Sequence, residues 1–256
     1  MLTKLRLVLS ISILFSCFYT AAQTGYWQTS EVKNELLSSD LKRLDLQKVR
    51  FFSLEETLLV QELSKLTANT LDKTLIYFPD VNGTLVAYEV EETPVFSPEL
   101  TSKYPEIRSF SGSSVHNKTD RVRFSVSPKG VQAMFIFKGK EKKIFLEKAS
   151  RDATDYVLYD RSGQSGETEK FICETEAKPI ASEQASTAKL VDDQTLRKFR
   201  IAVSATGEYT QFHGGTVPDA LSAINATLTR VNEVFSTDLG ITLELIANND
   251  QVIYTD

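Results

Sequence analysis

The chain has 256 residues, of which 25% are charged and 41% hydrophobic, and its formal net charge at pH 7 is −5. This length permits one complete domain of ordinary size and part of another. Basic and acidic residues are mixed along an acidic chain, which argues against nucleic acid or an anionic membrane surface as a partner.

The N-terminus has the three-part pattern of an export signal. Two basic residues precede an apolar run over residues 7–18, and a stretch of small residues ends at Ala22. The run is shorter than the roughly 20 residues that a membrane span needs. The pattern predicts a signal peptide over residues 1–22, cleaved between Ala22 and Gln23, and a secreted or exported protein without a membrane span.

Cys17 leaves a second possibility, a lipoprotein signal in which this cysteine is lipidated, although the bulky Phe15 argues against it. Removal of residues 1–22 takes away Lys4, Arg6 and Cys17 and no acidic residue, which brings the formal charge to −7. Cys173 is then the one remaining cysteine, so we expect no internal disulfide.

Residues 23–73 are predicted to be helical. Ser53 and Glu56 have the spacing of a capping box, in which two side chains satisfy amides at a helix start. Leucines follow at positions that share one helical face: Leu54, Leu58, Leu59, Leu63 and Leu66.

Short strands with glycine or proline turns between them are predicted from residue 74 to residue 160. The apolar runs lie at residues 74–78, 84–88, 121–126, 133–137, 143–146 and 156–159. This spacing is typical of an antiparallel sheet or sandwich. Residues 174–195, by contrast, contain no aromatic residue and are rich in Glu, Ala, Ser and Thr, which predicts an exposed linker.

Residues 197–256 predict a β-α-β unit. Two apolar strands, at residues 199–203 and 241–246, flank a helix that Thr216 caps and that has Pro218 in its first turn. Gly240 ends the helix, whose apolar face consists of Val217, Leu221, Ile224, Leu228, Val231 and Phe235. One helix on two strands lacks the second covering layer of an α/β sheet.

This unit resembles the opening of a reprolysin-like (adamalysin-type) zinc metallopeptidase of the metzincin group. The segment TGEY at residues 206–209 is similar to the start of that catalytic domain. Three earlier segments are similar to the propeptide of secreted bacterial precursors of the family: PVFSPEL at 94–100, YPEIRSF at 104–110 and RFSVSPKG at 123–130.

The resemblance implies an α+β chain in which a β-rich antiparallel propeptide precedes a truncated β-α-β start of a metzincin catalytic domain. We expect the propeptide at residues 23–173, a flexible linker at 174–196 and the incomplete catalytic domain at 197–256. In the full-length enzyme this implies zinc as cofactor, protein substrates, peptide-bond hydrolysis and the remainder of the catalytic domain as partner of the unit.

Zinc in this family needs a His-Glu-x-x-His helix with a third histidine beyond it, because three imidazoles hold the metal and the glutamate moves a proton. The chain has two histidines, His116 and His213, and neither is followed by glutamate. We therefore expect no zinc bound to this chain and no activity of the chain alone, and we expect the catalytic helix to lie further along the precursor.

Cys173 is the candidate metal-ligating residue. The resemblance implies a propeptide thiol that occupies the open zinc position and keeps the enzyme latent, because a thiolate displaces the catalytic water. The residues around Cys173 do not match the switch pattern of the animal enzymes, and a small buried hydrophobe beside Phe171 and Ile172 is the alternative.

Other polar residues carry weaker hypotheses. Arg197 and Lys198 follow the linker and are candidates for a maturation cut by a trypsin-like protease, or simply solvated basic residues. His213, His116 and Glu208 are better explained as surface polar residues than as ligands. The alternative to the peptidase precursor is a non-enzymatic exported β-sandwich that binds a partner or stays on the cell envelope.

Overall fold

The computed structural model describes residues 25–31, 37, 41–44, 49–67, 72–137, 143–151, 153–160 and 194–256. We call the part up to residue 160 the sheet region and residues 194–256 the C-terminal unit. Within these residues, no helix combines the length and the apolar character needed to cross a membrane.

The sheet region is one nine-stranded sheet in which every pair of neighbouring strands is antiparallel, in the order β1-β2-β9-β8-β7-β6-β5-β4-β3. Consecutive strands from β3 to β9 are neighbours, and β2 joins the far side of β9. The strands are β1 (Trp27–Thr29), β2 (Arg50–Leu54), β3 (Thr74–Pro79), β4 (Leu85–Glu92), β5 (Arg108–Ser114), β6 (Arg121–Ser127), β7 (Gly130–Ile136), β8 (Lys143–Lys148) and β9 (Asp155–Asp160). The predicted antiparallel, β-rich architecture is confirmed.

The sheet curls until its two edge strands meet. The Tyr77 amide of β3 donates to the hydroxyl of Tyr26 at 2.7 Å, and the indole Nε1 of Trp27 in β1 donates to the Tyr77 carbonyl at 2.9 Å. The side chains of Tyr26 and Trp27, rather than backbone pairing between strands, thus connect the β1 edge of the sheet with β3. Antiparallel strands with large residues on one face favour such curling, because each strand is twisted against the next.

Aromatic side chains fill the inside of the curled sheet. Phe78 contacts Phe124 and Phe135 at centroid distances of 5.1 and 5.4 Å, and Phe110 stacks on Phe124 at 4.9 Å. Helix α1 (Glu56–Leu63) adds Leu59 and Leu63 to the same core. Period-two alternation along each strand sends these residues to one face.

The predicted helix over residues 23–73 is therefore largely wrong: β1 and β2 lie in this range and α1 begins only at Glu56. Ser53 is paired within β2, and no side chain caps the helix. The physical reason is that Phe51 and Phe52 gain a strand partner in β9, which outweighs the local capping signal.

The C-terminal unit has the predicted β-α-β order. Its elements are β10 (Arg197–Ile201), α3 (Gly207–His213), α4 (Val217–Asp238), β11 (Ile241–Leu245) and a 3-10 turn at Asn249–Val252, and β10 pairs with β11 in parallel. The Thr216 side chain accepts from the Asp219 amide at 3.3 Å, and Gly240 takes a φ of +63° just beyond the helix. Both predicted boundaries of α4 are confirmed.

Candidate functional site

Helix α4 lies between two sheets, and this arrangement creates the main interface of the molecule. One face of the helix packs on β11, and another packs on the outer surface of β5 and β6 in the sheet region. The two faces differ in chemistry.

The face toward β11 is apolar and belongs to a core that both regions build. Ala220, Leu221, Ile224 and Leu228 of α4 pack there with Ala205, Leu245 and Ile253 of the C-terminal unit. The remaining buried members come from the sheet region: Val95, Phe96, Leu100 and Ile107. These four residues lie in one segment between β4 and β5, residues 94–107, which we call the arm.

The arm also joins the backbone of the C-terminal unit. The Leu245 amide donates to the Val95 carbonyl at 2.7 Å, and the Ser97 amide donates to the Leu245 carbonyl at 2.9 Å. Phe96 thereby forms a parallel bridge with Leu245 on the side of β11 that β10 leaves free. Through this single bridge, the start of the arm adds to the edge of the two-stranded sheet.

Beyond this bridge the arm forms a short helix, α2 (Pro98–Lys103). Ser97 caps it by accepting a hydrogen bond from the Leu100 amide, and Leu100 itself is fully buried in the shared core. At the other end, Lys103 forms an ion pair with Asp250 of the C-terminal unit at 2.9 Å. Backbone, apolar and ionic contacts of the arm therefore all reach the same unit.

The face of α4 toward the sheet region is polar although it is buried. The Ser109 hydroxyl of β5 donates to Asn225 Oδ1 at 2.8 Å, and Asn225 Nδ2 donates to the Arg108 carbonyl at 3.3 Å. Thr229 Oγ1 lies 3.0 Å from Ser109 Oγ. Buried polar groups are costly unless they find hydrogen bonds, and Ser109, Asn225 and Thr229 find them across the interface.

Glu233 is the buried charge of this face, with 3% of its surface exposed. Arg123 Nε of β6 donates to its Oε2 at 2.7 Å, and Arg121 forms an ion pair with its other oxygen. Arg121 also donates to Thr237 Oγ1 at 2.6 Å. Two arginines of the sheet region thus balance one carboxylate of the helix, as a buried carboxylate requires.

A cleft of about 240 Å³ opens at the N-terminal end of α4, between the helix and the β6–β7 turn. Lys129 Nζ lies 2.7 Å from Asp219 Oδ1 across it, and Arg151 donates to the Phe212 carbonyl. Burial alone would raise the pKa of Asp219, but hydrogen bonds from Lys129 and Thr216 outweigh it, and the pKa lies below its usual range.

His213 lines the same cleft, half-buried at the C-terminal end of α3. Burial lowers the pKa of His213 below its usual range, and Arg151 and Lys129 lower it further against the opposing effect of Asp219. The Tyr209 ring lies 4.4 Å from the imidazole. His213, predicted to be a surface residue, therefore lies at the interface. Its neighbours in the sequence could not indicate this, because Lys129 and Arg151 lie more than 60 positions away in the chain.

Two asparagines hold the C-terminal unit together and were missed by sequence reasoning. Asn232 Nδ2 donates to the Leu243 carbonyl at 2.9 Å while its Oδ1 accepts from the Leu243 amide at 2.7 Å. Asn249 makes the same double contact with Val203, at 3.0 and 2.7 Å. A side-chain amide carries a donor and an acceptor in one plane and so pairs with a strand residue as a neighbouring strand would.

The processing residues predicted after the linker lie within a strand. Arg197 and Lys198 are the first two residues of β10, and the Arg197 amide donates to the Gly240 carbonyl at 2.8 Å. Lys198 forms an ion pair with Glu244 at 2.6 Å. Cys173, Ala22 and Gln23 lie outside the described residues.

The remaining polar candidates do not converge on one point. His116 is exposed in the turn between β5 and β6, and Glu208 is exposed on α3, where hydrogen bonds with its own amide and Thr206 lower its pKa. Across the described ranges, no group of three or more His, Cys, Asp or Glu side chains could hold a metal ion.

Comparison with family models identifies a relationship for the C-terminal part of the chain. Residues 195–256 match the family model of the reprolysin-like metallopeptidases of family M12B. A comparison with curated proteins finds no match. The matched range coincides with the C-terminal unit, including α4 and both strands that flank it. The C-terminal unit is thus similar to part of a reprolysin-like M12B metallopeptidase.

Proposed function

We propose that the chain is the N-terminal part of a secreted zinc metalloendopeptidase precursor. In this proposal, residues 1–22 direct export, residues 23–173 are the propeptide, residues 174–196 are the linker and residues 197–256 begin the catalytic domain. The full-length enzyme hydrolyses peptide bonds of protein substrates with a zinc-activated water.

The observation that carries this proposal is the shared core. The unit that matches the M12B family completes its apolar core with four side chains of the arm, each no more than 2% exposed. A propeptide that assists folding needs contacts of this kind, because the newly synthesised catalytic domain then folds against a surface that has already formed. The match to M12B supports the peptidase half of the proposal.

The polar face of α4 supports the same proposal from another side. Once the propeptide has finally dissociated from the cleaved enzyme, the helix face that it covered must tolerate water. The side chains on this face are hydrophilic, so water can solvate them once the sheet region has dissociated: Asn225, Thr229, Arg230 and Glu233. An apolar face there would promote aggregation of the released enzyme.

Latency of the precursor is assigned to Cys173. It is the one thiol left after removal of residues 1–22, and it precedes the proposed linker, so it can reach a zinc site in the catalytic domain. As a thiolate it would fill the position of the catalytic water. Zinc itself would be held by residues further along the precursor, and this chain would contribute only the blocking ligand.

The test uses the precursor gene with the sequence that follows codon 256. We expect a His-Glu-x-x-His helix and a third histidine there, and casein hydrolysis by the mature enzyme that a chelator abolishes. Cys173→Ser in the precursor should give early, zinc-dependent activity, whereas Cys17→Ser should leave latency unchanged. An open reading frame with no histidine helix would disprove the peptidase proposal, and a latent Cys173→Ser precursor would disprove the role of the thiol.

A further inference from the structure

The edge of β11 that does not pair with β10 pairs instead with an extended part of the arm. Parallel pairing with Val95 and Ser97 satisfies both polar groups of the Leu245 backbone. Addition of one strand to a sheet edge is a general mode of peptide recognition, in which main-chain bonds give affinity and side-chain pockets give specificity.

Apolar side chains of the C-terminal unit bury the arm residues at this bridge. Val95 and Phe96 are both 2% exposed, and both belong to the shared core with Leu245 and the apolar face of α4. Leu100 follows one helical turn later, brought there by the Ser97 cap and Pro98. The recognised pattern is therefore Val-Phe-Ser-Pro-x-Leu.

The rest of the interface between the two regions is different in kind. There, polar side chains of the sheet region form hydrogen bonds and ion pairs with α3 and α4: Ser109, Arg121, Arg123, Lys129 and Arg151. Salt screens the more exposed of these ion pairs, such as Lys129 with Asp219, more than the buried pairs of Glu233. The apolar contacts of the arm do not depend on screening.

We propose that the edge of β11 is a peptide-binding site and that the arm, as its ligand, holds the two regions together after the chain between them is cut. The inference rests on the proposed function in one respect: maturation of the precursor would be the process that cuts the chain between the two regions. It predicts a non-covalent complex that survives high salt and that a free peptide with the sequence of the arm displaces.

The experiment uses the complete chain with a recognition sequence for a site-specific protease placed within residues 174–193. After cleavage, we expect the two parts to elute together on gel filtration in low salt and in 1 M salt (a roughly 3 Å Debye length). Phe96→Ser should weaken the complex by more than about 10-fold, since truncation of a buried aromatic removes most of its transfer free energy.

Phe199→Ser is the matched control, because Phe199 lies on β10 with 51% of its surface exposed. Trp27, the one tryptophan, is buried inside the sheet region, so its fluorescence shows whether that region is still folded in each variant. A synthetic peptide of residues 93–107 provides a second test that needs no variant. It should displace the sheet region from the cleaved wild-type chain, and a scrambled peptide should not.

Separation of the wild-type parts on cleavage alone would overturn the inference. So would equal retention of Phe96→Ser and Phe199→Ser together with a peptide that displaces nothing. These outcomes are independent of the proposed function, because a cleaved complex held by the arm could form in a chain that never hydrolyses a peptide bond.

Discussion

The sheet region and the C-terminal unit solve the problem of burying apolar surface in opposite ways. The sheet region curls around its own aromatic side chains and closes the core with α1. The C-terminal unit has two strands and two helices, and its core includes the arm of the other region. The stability of the C-terminal unit should therefore depend on the sheet region, whereas the sheet region should stay folded when the C-terminal unit unfolds.

The largest effect is expected from a cavity in the aromatic core of the sheet region. Phe124→Ala removes a fully buried ring that contacts both Phe78 and Phe110, and we expect a loss of about 3–5 kcal/mol in the free energy of unfolding. Urea titration followed by Trp27 fluorescence measures this loss directly, since Trp27 lies in that core.

Leu221→Ala is the matched truncation in the shared core. If dependence runs in one direction, Phe124→Ala should remove amide protection in both regions, whereas Leu221→Ala should remove it only in the C-terminal unit. Loss of the Trp27 transition in Leu221→Ala would show instead that the two regions unfold as one.

The next effect concerns the buried carboxylate that joins the two regions. Glu233→Ala leaves Arg121 and Arg123 without their common counter-charge, and we expect a loss of about 3 kcal/mol because a broken buried pair leaves uncompensated charge. Chemical denaturation monitored by circular dichroism measures it. Glu244→Ala, which breaks the pair with the exposed Lys198, should cost less than about 1 kcal/mol, and equal costs would contradict the prediction.

A smaller, more local effect is expected at Asn232. Asn232→Ala leaves the amide and the carbonyl of Leu243 without the partners that the side chain supplies, at a cost of about 1–3 kcal/mol. Hydrogen exchange of the Leu243 amide should become faster while the sheet region is unchanged. Asn248→Ala is the control, because Asn248 is exposed; similar exchange in both variants would show that Asn232 does not hold β11.

Local periodicity predicted much of this fold but could not predict its interfaces. Alternation around Phe78 and Phe124 indicated strands, and Thr216 and Gly240 marked the ends of α4, because each signal depends on neighbours in the chain. For α4, the sequence indicates only the apolar face and not what the polar side contacts. Its partners, such as Arg123 for Glu233, lie 110 positions away, and no local pattern reports such a pairing.

The same limit applies to the arm and to the first helix. Val95 and Phe96 were noticed only for their resemblance to a propeptide, since a single bridging residue leaves no strand pattern. At Ser53 a real capping signal was present, but pairing of Phe52 with Tyr156 decided the structure. Long-range strand pairing outweighs local helix signals where large apolar residues gain a buried partner.

The smallest expected effect is a dependence on pH at the cleft. Burial lowers the pKa of His213 below its usual range, and Arg151 and Lys129 of the sheet region lower it further, against the opposing effect of Asp219 of α4. The unfolded chain therefore takes up a proton on this imidazole at a higher pH than the folded chain does. Stability contributed by the neutral imidazole is complete above the unfolded pKa of about 6.5 and falls as the pH drops through the folded pKa.

His213→Gln removes this titration while it keeps a polar side chain in the cleft. We expect the wild type to lose stability relative to His213→Gln as the pH falls below about 6.5, by less than about 1 kcal/mol because the imidazole is half-buried. Paired urea titrations at several pH values measure the difference, with His116→Gln in the exposed β5–β6 turn as the control. A wild type and His213→Gln that respond to pH in parallel would show that the contact between α3 and the sheet region does not sense the charge of His213.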